Sequence, residues 1–247
     1  MLNHYLAHGW ASSLERLAIA AAVTLGFAVL ARALRGVDRS GAWAGGLACF
    51  LIFAGAGPAA FATLATLFLM TWAATRMGYR RKLALGLAER REGRNAWQVV
   101  ANLAVAALGS VVFGATGNRV WLIAALAALS EAATDTVASE VGQYRRPDAR
   151  LITTWERVPA GTDGGITIPG SIAGMGAGLA IAVVATSGGI LLPSQLWIPV
   201  AAGFAGMLID SVLGATLQRR GWISNQAVNF FATLAAAAMA FAIAMFT

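Results

Sequence analysis

Glu131, Asp135 and Ser139 follow one another at four-residue intervals, and Thr136 and Glu140 stand one place further on. On a helix, residues four apart share a face, so these five form one polar stripe. Asp210 belongs to a second stripe of the same period, Gly206, Asp210, Gly214 and Gln218, with Ser211 beside it. Arg94, Gln98 and Asn102 make a third. All three lie in or at the start of long apolar runs. A carboxylate at membrane depth is costly unless a cation accompanies it, and the other apolar runs show no lysine or arginine to do so. A divalent cation is the natural counter-ion. Mg²⁺ in particular is usually held by one or two carboxylates together with phosphate oxygens. Asp135 and Glu140 are therefore candidate metal ligands, with Asp210 joining them if the two stripes face one site, and phosphate chemistry is the expectation.

A segment suited to phosphate lies between the two acidic stripes. Residues 141–165 end in Gly161-Thr162-Asp163-Gly164-Gly165, directly before another apolar run. Glycines let backbone N–H groups approach an anion, and a helix N-terminus adds partial positive charge. No Gly-Lys-Ser/Thr follows, so this is not a Walker loop. The chain holds one lysine, Lys82, so arginines must supply most phosphate contacts, which their planar fork suits. Other features have plainer readings. Gly41 with Gly45, and Gly170 with Gly174, read as packing seams between membrane helices, and a glycine pair can simply end a loop. His4 and His8 read as interfacial residues near an exterior terminus. With no other histidine a Ser-His-Asp set is excluded, and the lone Cys49 excludes an intramolecular disulfide or a cysteine zinc site.

The elements that must position these residues are membrane helices. Of 247 residues, 58% are hydrophobic and 12% charged, about half the charge of an ordinary soluble chain. The net charge of +7 does not indicate nucleic acid, because the basic residues punctuate apolar runs instead of covering a wettable face. A crossing needs about 20 mostly apolar residues, and eight segments qualify: 14–34, 42–57, 58–76, 96–115, 119–140, 166–187, 196–217 and 225–246. The reading is an all-α, single-domain, polytopic membrane bundle. With this count, 16 of 18 basic residues share one side, leaving only Arg16 and Arg119 opposite. By the positive-inside rule the basic side is cytoplasmic and both termini are outside. The first 15 residues hold no Lys or Arg, so the N-terminus reads as a reverse-oriented anchor and not as a cleavable signal. A bacterial cytoplasmic membrane is the expected location. At about 1.5 Å per residue, Asp135 and Asp210 lie roughly 10–12 Å from the cytoplasmic ends of their helices. Gln98, Asn102, Asn225 and Asn229 share that leaflet. Ser40 marks the cytoplasmic start of the second helix. Segments 77–95, 141–165 and 218–224 are the loops that would close a site there. A transport pathway would need polar positions in the outer half too, and those stretches are nearly all Ala, Leu, Val and Ile.

Taken in order, five strings match a known pattern: Ser40-Gly41-Ala42, Gln98 to Asn102, Asp135 to Gly142, Gly161 to Gly165, and Asp210 to Gln218. Over residues 38–230 the chain resembles the phytyl-phosphate kinase family, which includes the transmembrane protein 19 group. It is similar more remotely to CTP-dependent dolichol and phytol kinases. The resemblance implies an integral membrane phosphotransferase that converts an isoprenyl monophosphate to its diphosphate at the expense of a nucleoside triphosphate, with CTP the favoured donor. It implies that Asp135, Thr136, Ser139 and Glu140 form the metal and phosphate helix, and that Gly161, Thr162, Asp163, Gly164 and Gly165 form the phosphate loop. Asp210, Ser211, Gly214 and Gln218 would make the opposing wall, with Arg94, Gln98 and Asn102 on a third side; Ser40, Lys82 and Asn225 complete the binding set. Asp135, Arg94 and Asp210 are the catalytic candidates. The chain departs from the pattern at Thr134, at Ile166-Thr167, and at Arg76, where lysine is expected. The prenyl tail would lie among Ala- and Gly-rich helices, with membrane lipid around it. Two rivals are a cytidylyltransferase acting on a lipid phosphate and a lipid-phosphate transporter. The isoprenoid, the nucleotide and the oligomeric state are open at this stage.

Overall fold

The computed structural model describes residues 13–145 and 148–247; His4 and His8 lie outside them. The helices are α1 (Ser13–Ala33), α2 (Arg39–Arg76), α3 (Tyr79–Ala84), α4 (Ala96–Thr116), α5 (Arg119–Arg145), α6 (Ile168–Ser187), α7 (Trp197–Leu213) and α8 (Asn225–Ala244). Among the described residues, seven helical segments are long and apolar enough to cross a membrane. One of them, α2, is 38 residues long, far more than the roughly 20 that a crossing needs. Gly57, with φ of 83°, breaks it ahead of Pro58. The break reverses the chain, because the far end of α2 returns to the turn that precedes it. Trp72 Nε1 donates to Leu34 O (3.1 Å), and the Arg76 guanidinium donates to the same carbonyl. The seven segments therefore contain eight crossings, with the tight turn at the boundary between 42–57 and 58–76.

Helix α5 is the central element. It packs on α2, α4, α6, α7 and α8, and Leu122 through Thr134 are buried without interruption. Its neighbours approach closely because they present glycine: a Cβ at Gly174 would lie 2.9 Å from Ala138 Cβ, and one at Gly178 2.7 Å from Thr134 Oγ1. Helix α1 sits at the periphery with most of its surface exposed.

Four N-termini point to the same end of the bundle, and each is capped by a side chain. Asp38 accepts from Gly41 N (2.8 Å), Asn95 from Gln98 N (3.1 Å), Thr167 from Gly170 N (3.1 Å) and Ser224 from Ala227 N (3.3 Å). Such caps satisfy one of the four unpaired N–H groups that begin any helix. The Gly41 N–H and the Ser40 hydroxyl also hold the Asp38 carboxyl below its ordinary value.

Three features depart from the sequence expectation. Segment 141–165 is not a plain loop: α5 runs on to Arg145, and a three-stranded antiparallel sheet follows, ordered β2-β1-β3 from β1 (Asp148–Leu151), β2 (Arg157–Pro159) and β3 (Gly165–Ile166). The alternating burial of β1, with Ala149 and Leu151 turned inward, is a period-2 pattern too short to stand out among neighbouring apolar helices. Segment 77–95 contains the short α3. Helix α7 ends in a π-turn, Gly214–Gln218.

If the basic end is cytoplasmic and α2 crosses twice, cysteines introduced at positions 39 and 117 will react from opposite sides of the membrane. Modification of both by an impermeant maleimide added to one side would contradict the eight-crossing topology.

Candidate functional site

At the capped end of the bundle a polar cavity of about 380 Å³ opens between the C-terminal halves of α5 and α7, the N-termini of α4, α6 and α8, and the β-sheet segment. Asp135, Thr136, Ser139 and Glu140 enter it from α5, and Asp210, Ser211, Gly214 and Gln218 from α7 and its π-turn. Arg94, Gln98 and Asn102 close a third side, Gly161 to Gly165 form the rim, and Asn225 completes the wall from α8. Two kinds of charge therefore meet. Helix N-termini carry partial positive charge that favours anions, while Asp135 and Asp210 attract cations.

Arg94 is fixed by its backbone. Its N–H donates to Gly36 O (3.1 Å), and its carbonyl accepts from Asp38 N (2.9 Å). The guanidinium reaches Thr136 Oγ1 at 3.3 Å. Gly41 is required beneath it, because any Cβ there would run into Arg94 O. Ser40 belongs to this scaffold and not to the cavity. Its hydroxyl donates to Asp38 (2.7 Å) and accepts from Ala96 N (3.1 Å), tying the start of α2 to the start of α4. Ser40 thereby joins the two helix starts between which the Arg94 backbone is held.

Lys82 also departs from its expected role as a phosphate contact. It is 1% exposed, and its ammonium donates to Ala74 O (3.2 Å), Thr75 O (2.8 Å) and the Glu140 carboxylate. All three of its protons are engaged. Glu140 therefore has a lysine as its counter-ion, which the sequence could not show because Lys82 lies outside the apolar runs. Removing one member of a buried pair leaves an uncompensated charge, so Lys82→Met should lower stability by about 3 kcal/mol. Adding Glu140→Gln should recover part of that loss, as read by thermal unfolding in detergent; equal stability of Lys82→Met and wild type would contradict the pairing.

The remaining carboxylates, Asp135 and Asp210, suit a divalent cation only in company. Among the described residues no group of three or more His, Cys, Asp or Glu could hold a metal by itself. Two carboxylates beside an anion-attracting wall fit Mg²⁺ that arrives with phosphate oxygens and keeps its water. Glu131 continues the stripe one turn deeper, buried, with Oε1 lacking a hydrogen-bond partner.

In the rim, the Thr162 N–H donates to Pro159 O (3.2 Å) and the Gly165 N–H to Thr162 O (2.8 Å). Those of Gly161 and Asp163 meet no backbone acceptor among the described residues. Gly164, at φ of 76°, lies against the π-turn, and a Cβ there would sit 2.6 Å from Ser211 O. This glycine is demanded by the crossing of two backbones, so any larger residue disrupts the rim whatever binds there. Partial burial raises the Asp163 carboxyl above its ordinary value, opposed by nearby Arg219.

The family model described as integral membrane protein DUF92 matches residues 22–237. The chain belongs to that family. It is 33% identical to a membrane protein of Synechocystis, over 98% of this chain and 97% of the relative. It is 31% identical to a membrane protein of Methanocaldococcus jannaschii, over 90% and 92%. It is also 30% identical to the chloroplastic protein VTE6 of Arabidopsis thaliana, over 78% of this chain but 61% of that one. No solved structure matches. Family membership, membrane-protein relatives and the apolar helices together make the chain an integral multi-pass membrane protein.

Two cavity residues of this DUF92 chain stand beyond the implied binding set, Asn229, which the sequence placed in the same leaflet, and Glu89. Asn229, with its amide nitrogen turned toward Asp210 Oδ2 (3.2 Å) and Asn225 O (3.1 Å), holds the carboxylate in place; its four-residue spacing from Asn225 was the available signal. Glu89 accepts from Gln98 Nε2 (3.1 Å). Gln98 is thereby doubly engaged, since it also completes the α4 capping box. Nothing in the local pattern of segment 85–95 marks Glu89.

Proposed function

We propose that the chain is a prenyl-lipid enzyme that transfers the terminal phosphoryl group of a nucleoside triphosphate to an isoprenyl monophosphate. The observation that carries this reading is one cavity that joins two acids, Asp135 and Asp210, to Arg94 and to the first turns of three helices. Phosphoryl transfer asks a protein mainly for positioning and charge neutralisation, and this wall supplies both. The similarity to VTE6 and the sequence resemblance to phytyl-phosphate kinases favour prenyl lipid as the acceptor.

In this scheme Arg94 holds the acceptor phosphate and orients one of its oxygens. The free N–H groups of Gly161 and Asp163, with the N-terminus of α6, hold nucleotide phosphates. Asp135 and Asp210 would hold a Mg²⁺ that accompanies the nucleotide, and its charge would offset that of the transferring group. The acceptor oxygen forms a bond to the γ-phosphorus as the bond to the β-phosphate oxygen breaks, leaving prenyl diphosphate and nucleoside diphosphate. A monophosphate has its second pKa near about 6, so it attacks without a strong general base. The dense Leu and Ala packing of α5 from Leu122 to Leu129 favours chemistry at one face over passage across the bundle.

The test is purified protein in detergent with Mg²⁺, ATP, CTP, GTP or UTP, and a set of prenyl monophosphates, with products read by mass spectrometry. Prenyl diphosphate with nucleoside diphosphate supports the reading. Pyrophosphate with a nucleotidyl lipid would replace it by a cytidylyltransferase.

A further inference from the structure

Beside the polar cavity lies a second chamber, of about 470 Å³, enclosed by α1, both arms of α2 and the start of α4. Its volume falls within the range of small-molecule sites. Its walls are largely apolar, with Phe27, Leu64, Leu67, Phe68 and Leu103 among them. The two spaces are contiguous: Glu89, Arg94, Gln98 and Asn102 border both. At the same end the chamber is rimmed by Arg35, Arg76, Arg90 and Arg91.

Two wall residues show that the space is not a by-product of close packing. Gly41 and Gly55 are needed because neighbouring backbone would meet a Cβ there. Gly45 and Gly46 are different. The nearest atom to a Cβ would be 3.7 Å away in each case, Val99 Cγ1 and Thr24 Cγ2 respectively. Ordinary side chains could stand at both positions without disturbing a helix crossing. Their absence keeps the first arm of α2 open toward α1 and α4.

Resting on the phosphotransferase reading, we propose that this chamber seats the isoprenyl chain, with Arg94 in the shared wall receiving its phosphate. The geometry matches an amphiphile with one anionic end: an apolar pocket at membrane depth, a cationic rim at the interface, and a single arginine through which head and tail regions communicate. Arg94 is also where the scaffold is most firmly pinned, by backbone bonds to Gly36 and Asp38. The junction of tail and phosphate is thereby held at a fixed distance from Asp135. An ordinary phospholipid is the competing occupant.

Gly45→Leu and Gly46→Leu fill the chamber without touching the polar cavity. For geranylgeranyl monophosphate each should raise KM by about tenfold or more with little change in kcat, the mark of lost uniform binding. KM for dimethylallyl monophosphate, whose tail is too short to depend on the chamber, and the nucleotide affinity should both stay as in wild type. Independently of turnover, a geranylgeranyl monophosphate bearing a diazirine at its distal isoprene should label peptides of α1, α2 and α4 in wild type. Labelling of α6 to α8 by a substrate that is still phosphorylated would overturn the chamber assignment and leave the kinase reading intact. An unchanged KM for geranylgeranyl monophosphate in folded Gly45→Leu would do the same. Failure of wild type to phosphorylate any prenyl monophosphate, with the diazirine label displaced equally well by phospholipid, would overturn both.

Discussion

Asp135→Asn should reduce turnover by about 10²–10³-fold while expression and thermal unfolding remain close to wild type. The substitution keeps the shape of the side chain and removes its charge. Insertion should not suffer, because a carboxylate at membrane depth is a cost and not a stabiliser. Catalysis should, because Asp135 and Asp210 are the acids that α5 and α7 carry into the cavity without a lysine partner, and Asp135 stands one residue from Thr136, which Arg94 touches. Asp210→Asn should fall by a similar factor, and the double variant should lose little more than either single one, since residues acting as one unit are not additive. The nucleotide KM and the Mg²⁺ concentration for half-maximal rate should rise together. Near-normal turnover in Asp135→Asn would leave helix packing as the reason for that residue.

Arg94→Lys should cost about 10²-fold or more in kcat/KM, even though it conserves charge. Arginine offers a planar fork that can grip a phosphate while still reaching Thr136; lysine offers a point charge on a flexible stem. The backbone at position 94 is held from both sides by Gly36 and Asp38, so a shorter reach cannot be made up by a shift of the chain. The loss should appear chiefly in the KM of the prenyl monophosphate and leave nucleotide affinity nearly unchanged. Arg94→Lys with wild-type kinetics would separate this residue from the acceptor phosphate.

The course of the chain was largely legible in its sequence, and the reason is the membrane. Lipid requires apolar runs of defined length, and the clustering of arginine at alternate ends constrains how many there are. Even the reversal at Gly57-Pro58 shows in composition, because a glycine of positive φ followed by a proline suited to a first helical turn leaves few alternatives. The site was legible where chemistry imposed a helical period: Asp135 with Ser139, Asp210 with Gln218, and Arg94 with Asn102 all reach one cavity. What the sequence hid depends on tertiary approach. Lys82 lies among arginines in a segment that reads as a loop closing the site, and only folding brings it to Glu140. Ser40 belongs to the implied binding set, but its hydroxyl bonds to Asp38 and Ala96. The glycine at 164 reads as a ligand cradle, whereas Ala215 and the carbonyl of Ser211, packed against it, already exclude any side chain. The small sheet from β1 to β3 was hidden for another reason: strands of two to four residues carry too few alternations to be read against apolar helices.

The fate of the γ-phosphorus separates phosphoryl transfer from nucleotidyl transfer and transport. Purified protein incubated with γ-³²P-labelled nucleotide, Mg²⁺ and geranylgeranyl monophosphate should yield lipid carrying the label in its terminal phosphate. An α-labelled nucleotide should leave the lipid unlabelled, and Asp135→Asn should slow transfer by about 10²–10³-fold. Label entering the lipid from the α-position, or movement of prenyl phosphate across a bilayer with no nucleotide consumed, would contradict the assignment of this cavity to phosphoryl transfer.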